Sequence, residues 1–225
     1  FKGLTRISTD KAGKRVGVFR ISEFFERYIG TNDVPEDNNT WLFLDDYRLR
    51  TVTNGQVFKD DLGEFTRIRK GILNYYPEEV RVKKLAREAA LISQSGQYNY
   101  SRMLNRGDVV AASVCISEFM KHTMSMIYLL NRTYAPFYKW MFRGLKDEPV
   151  LNDILPSLVK LTQCIPGDEE VPQIIEKIVE RIILEMKKQG LTKSDDTYLD
   201  AHTGEIIASI EGPRAGEYES TADEP

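Results

Sequence analysis

The sequence predicts a mainly α protein, a helical bundle with a small N-terminal α/β remnant. Three observations predict it. From Gly63 onward, apolar residues recur at helical spacing in one segment after another. Val109 to Asn131 is apolar almost all round, as the central member of a bundle should be. Only the first sixty or so residues carry strand-like alternation and a high density of turn formers. The expected organisation is a small α/β segment over 1–62, a bundle over 63–211 and a polar, disordered tail over 212–225.

In chain order, Arg15 to Phe19 alternates through Val16 and Val18 as a short strand. Ser22 can cap a helix carrying Phe24, Phe25 and Tyr28, which stops at Gly30. The loop to Thr40 holds Pro35, Asp37, Asn38 and Asn39, and Trp41 to Val52 reads as helical. Asn54 and Gly55 turn the chain into a short strand, Gln56 to Lys59. Asp61 with Glu64 resembles a capping box, opening a helix with Phe65, Ile68, Ile72 and Leu73 that ends before Pro77.

The next helix carries Val82, Leu85, Ala86, Ala89 and Ile92 and runs on through Tyr98 and Arg102. Gly107 fits its C-terminus, and Asp108 fits the N-cap of the long apolar helix. Pro136 suits the first position of a short helix ending near Gly144. Asn152 to Gln163 gives another helix. Pro172 to Lys188 is the clearest, with Ile175, Ile178, Val179, Ile182, Ile183 and Met186 on one stripe. Asp195 to Ile210 supplies the last, through Leu199, Ile206 and Ile210.

The 31 basic and 34 acidic side chains nearly cancel, so no global field advertises nucleic acid or anionic membrane. Cys115 and Cys164 are too few for a disulfide framework or a zinc cage, which suits a reducing cytoplasm. Glu118, Lys121 and His122 interrupt the long apolar segment and exclude it as a membrane span. Lys2, Arg6, Asp10, Lys11 and Lys14 break any signal-peptide core, and Phe1 in place of methionine suggests a piece of a longer protein.

Two clusters concentrate polar and aromatic groups: Gln97 to Asp108, and Asn131 to Trp140. On a continuous helix Asn99, Arg102 and Arg106 share a face, and the two like charges call for an anion or for acids such as Asp108 and Glu118. Tyr134, Tyr138 and Trp140 flank Lys139, a composition that stacks on a flat ring or locks a bundle corner. His122 and His202 have no second ligand at metal spacing and read as structural, so no protein metal site is expected. There is no nucleophile elbow, Walker loop or dinucleotide fingerprint.

Several runs resemble a known family: Thr53 to Phe58 with Asp60, Gly63 to Thr66 with Ile68 and Arg69, and Tyr75 to Pro77. Gly96 to Tyr100, Arg106 to Asp108, Leu129 to Arg132 and Pro136 to Trp140 fit the same pattern. The resemblance, over roughly 1–210, is to an uncharacterised bacterial domain of unknown function. That domain forms the C-terminal part of proteins resembling kanamycin and lincosamide nucleotidyltransferases. It implies transfer of a nucleoside monophosphate from a nucleoside triphosphate to a hydroxyl of a small molecule. Such chemistry needs a Gly-Ser turn for the phosphates and an Asp-x-Asp pair for magnesium. This chain has neither, so Mg2+ and nucleotide are expected only with an upstream half, and the chain alone is expected to be inactive.

Within the resemblance Gln56 to Lys59 is the last palm strand, and Asp60 or Asp61 is a third, catalytic carboxylate. Read from the residues alone, Asp60 closes a turn and Asp61 caps the next helix. Arg102, Arg106 and Lys139 are expected to grip phosphate or an acidic acceptor, while Tyr98, Asn99, Asn131 and Tyr138 shape the acceptor pocket. No Arg stands with four to six residues between it and His122 or His202, which disfavours a ribonuclease of the HEPN type. The partner is then a small-molecule substrate or nucleotide, with nucleic acid disfavoured and no membrane. The competing class is a non-catalytic interaction module, such as a homodimer.

Overall fold

The computed structural model describes residues 18–211 and is mainly helical, with no strand among the described residues. The chain divides into two compact units, one ending at Tyr76 and the other beginning at Pro77. The strand expected at Arg15 to Phe19 lies largely outside the described residues, as does the tail from Gly212. No helix among the described residues is long and apolar enough to cross a membrane.

The first unit holds α1 (Ile21–Ile29), α2 (Asn38–Phe43), α3 (Asp46–Thr53) and α4 (Glu64–Leu73). Ser22 falls inside the first turn of α1; the side chain that closes that end is Glu23, which accepts from the Arg20 amide at 3.3 Å. Asp37 caps α2 through the Thr40 amide at 2.9 Å. Leu44 and Asp45 are extended, and they split the expected Trp41–Val52 helix in two. Phe25, Leu49, Ile68 and Ile72 form the core, with the Phe65 ring 5.2 Å from Phe25.

Gln56 to Lys59 is irregular rather than a strand, so the described part of this unit is helical and not α/β. A strand persists only by pairing its backbone and burying a face. Phe58, 92% exposed, has no face to bury against. Asp60 rather than Asp61 caps α4, accepting from the amides of Gly63 (3.1 Å) and Thr66 (2.7 Å).

The second unit starts with α5 (Glu78–Ile92), which continues without a break into a π-helix (Ser93–Asn99) and α6 (Tyr100–Asn105). Gly107, at φ +73°, supplies the left-handed turn that a side chain would strain. Asp108 then caps α7 (Val109–Leu130) through the Ala111 amide at 2.9 Å. After α7 come α8 (Met141–Gly144) between short 3-10 turns, α9 (Leu155–Leu161), α10 (Glu170–Lys188) and α11 (Thr203–Glu211). The helical turn before α8 opens after Phe137, so Pro136 precedes it rather than starting it. The last helix is shorter than expected, since regular structure starts only at the 3-10 turn Leu199–His202.

α5 packs on α7 and α11, while α10 lies against the π-helix and α9. The six expected stripe residues of α10 are all buried. α7 is not enclosed all round. Its last five residues, Met126 to Leu130, are buried, but Val109, Val110 and Val114 stand 54%, 72% and 57% exposed. The three-residue turn holds α6 alongside the start of α7 and leaves the rest of that end open.

Gly96 belongs to the π-helix at a close approach within this unit, because a Cβ there would collide with the buried Phe119 ring. The next residue, Gln97, donates to Glu176 and to the Thr197 carbonyl and accepts from the Leu199 amide.

Candidate anion-binding site

Pro77 starts α5, which puts Glu78 in its first turn and Arg81 one turn on. Arg81 is only 2% exposed although it carries a full charge. Its Nε donates to both Glu78 oxygens at 3.1 Å, Nη2 donates to one of them at 2.6 Å, and Nη1 reaches the Leu129 carbonyl at 3.4 Å. That carbonyl, in the last turn of α7, also accepts from the Arg132 amide at 3.3 Å.

The chain then turns through Asn131 into Arg132, which takes a left-handed φ of +55°. This turn lets Arg132 Nη1 donate to the other Glu78 oxygen at 2.7 Å. Two guanidiniums thus share one carboxylate. The Arg81 hydrogen bonds, followed by those of Arg132, hold the Glu78 carboxyl far below its ordinary range, at about 2.

These groups line a cavity of about 430 Å3 that Leu130, Gln189 and Gly190 complete. Arg81 forms the buried wall, and Arg132, with 53% of its side chain exposed, forms the open one. One positive charge is in excess, and guanidinium forks match carboxylate and phosphate oxygens. The site can therefore take a second anion from the open side.

The residues singled out in the sequence fall in two places of this unit and one of the first. Tyr98, Arg102 and Arg106 lie along the exposed side of the π-helix and α6; Arg102 donates to the Tyr98 hydroxyl and sits 5.2 Å from its ring centre. Neither arginine makes a carboxylate ion pair among the described residues, for Asp108 caps α7 and Glu118 binds Lys121 and His122. Asn99 is half-buried beside them.

Asn131 sits at the far end of α7 and spends its amide on Val150, donating to the carbonyl at 3.0 Å and accepting from the amide at 2.9 Å. Tyr138 is exposed and tilts against Phe137, and Lys139 lies 5.7 Å over the Trp140 ring. Because α7 has 22 residues, its two ends are about 33 Å apart. Arg106 and Asn131 flank those ends, so the two clusters do not meet on one small ligand. Asp60 and Asp61 belong to the first unit, where Asp60 caps α4 and Asp61 pairs with Lys59 at 3.1 Å.

Both histidines are held by networks. His122 bridges Glu88 (2.7 Å) and Glu118 (3.1 Å), and fully buried His202 lies between the Thr192 hydroxyl and the Asp196 carbonyl, each at 2.8 Å. Sequence reasoning missed Glu78 and Arg81. A signal existed, since Arg81 shares a helical stripe with Leu85, Glu88 and Ile92, and charges on an apolar stripe need a reason.

Neither the curated proteins nor the solved structures compared with this chain gave a match. Residues 41–141, a span that takes in Arg81, Arg102 and Arg132, match the family model described as Domain of unknown function (DUF4037).

Proposed function

We propose that this chain is the substrate-holding helical part of a nucleotidyltransferase-like protein, with the Glu78, Arg81 and Arg132 cavity seating a phosphate or carboxylate of the substrate. The observation that carries this reading is one buried and one exposed guanidinium sharing a single carboxylate on a cavity wall. A pair joined only to fasten helices needs no second cation. The reaction itself, transfer of a nucleoside monophosphate to a hydroxyl, needs Mg2+ bound by residues upstream of this chain. Here Arg81 and Arg132 orient the anion, while Asp60 holds the start of α4. The resemblance and the two unpaired cysteines support a bacterial, cytoplasmic setting.

The test is calorimetric titration with nucleoside triphosphates, with and without Mg2+, of this chain and of one extended upstream. The extended protein should bind nucleotide with Mg2+, and Arg132→Ala should weaken binding about 10- to 100-fold, the loss of one charge-assisted hydrogen bond. If the extended protein binds no triphosphate, the transferase reading fails. A second reading, a dimerising helical module, is favoured by the exposed valines at the start of α7. Sedimentation as a concentration-dependent dimer, with no nucleotide binding, would establish it instead.

A further inference from the structure

A second cavity, of about 440 Å3, lies in the same unit between α7 and the segment from Leu161 to Val171. Its walls are apolar, formed chiefly by Ile116, Met120, Met124, Leu161, Ile165 and Val171. The polar groups on the wall are nearly all spent. Ser113 donates to the Val109 carbonyl, Ser117 to that of Ser113, Thr162 to that of Val159, and the Cys164 thiol to that of Lys160.

Tyr100 is different. It lines the cavity, is fully buried, and its phenol oxygen accepts from the Gly167 amide at 3.1 Å. Its hydroxyl proton meets no acceptor among the described residues. A buried donor left unmade is costly, so the group is poised for an acceptor that enters the cavity.

We propose that this cavity binds an apolar small molecule carrying one hydrogen-bond acceptor, such as an aromatic ketone or ester, whose oxygen accepts a hydrogen bond from the Tyr100 hydroxyl. The volume lies in the range of small-molecule sites, and unbranched Met120 and Met124 adapt to ligand shape. Exposed Val114 and Ile165 extend the apolar surface beside it. A charged ligand is excluded, because the wall offers no ion to answer it. The inference is independent of the anion site, which shares no lining residue with this cavity.

The test titrates the protein with acetophenone and with ethylbenzene, the same ring without the acceptor, while following the Met120 and Met124 methyl resonances by NMR. Both probes should shift these signals saturably, acetophenone binding about 3- to 10-fold more tightly, the worth of one hydrogen bond. Tyr100→Phe should abolish that preference while ethylbenzene still binds. Ser117→Trp, on the exposed side of α7, should fill the cavity and abolish both. Unmoved methionine signals, equal affinities, or a preference surviving in Tyr100→Phe overturn the proposal. So does a protein whose methionine signals move only with its own concentration, since a second copy then fills the cavity.

Discussion

The two ends of α7 carry similar side chains in opposite circumstances. At its start, Tyr98, Arg102 and Arg106 face solvent, answered by an aromatic ring, and three valines stand exposed. At its finish, Arg81 is buried, Arg132 is locked in a left-handed turn, and both close on Glu78. Chemical type is shared; surroundings are not. The comparison teaches that an arginine becomes a site only when the fold withdraws water from it and leaves its charge incompletely answered.

The sharpest way to break this contrast is Arg81→Ala. It removes a buried side chain with its hydrogen bonds to Glu78 and to the Leu129 carbonyl, and should cost about 2 kcal/mol in a urea titration. A loss below about 1 kcal/mol would place Arg81 with the surface arginines. Acid should act in the same direction. The folded Glu78 carboxyl titrates near 2 and an unfolded one near 4.5, so its stabilisation is complete above about 4.5 and is lost as pH falls toward 2. Glu205, drawn down to about 2 by the Thr192 hydroxyl and the Lys193 and Ser194 amides, adds a background in that window. Glu78→Gln should therefore flatten, without abolishing, the fall in thermal midpoint between pH 5 and pH 3.

Next in size, Asn131→Ala at the buried end should cost about 1.5 kcal/mol, since it frees the amide and carbonyl of Val150. Asp108→Ala at the open end removes one cap and should cost about 1 kcal/mol. Equal losses would mean that the two ends are anchored alike. Smallest of all, Arg102→Ala should change stability by less than about 0.5 kcal/mol, as expected for an exposed side chain.

Much of the bundle was legible. The α10 stripe and the Gly107 and Asp108 junction are set by local periodicity and capping, and both stand as read. The Gln56 to Lys59 strand was not, because alternation signals a strand only where a partner edge exists. The anion site was illegible for a related reason. Glu78 and Arg132 are 54 residues apart, and only the length of the α5 to α7 hairpin brings them together. Asn131 looked like a pocket group in the sequence, yet the backbone of Val150 claims it.

The π-helix also shifts the phase of everything after it. Each residue of an i to i+5 run advances the chain by a smaller angle than in an α-helix, so Tyr98 and α6 do not fall where a 3.6-residue wheel drawn from α5 would put them. Gly96 and Gln97 are aimed at α7 and α10 because of that slip. Removing one residue from Ser93 to Asn99 would restore the regular wheel and swing the Tyr100 phenol away from Gly167. The extra residue is thus an angular setting, fixing which way the second half of the long helical run faces.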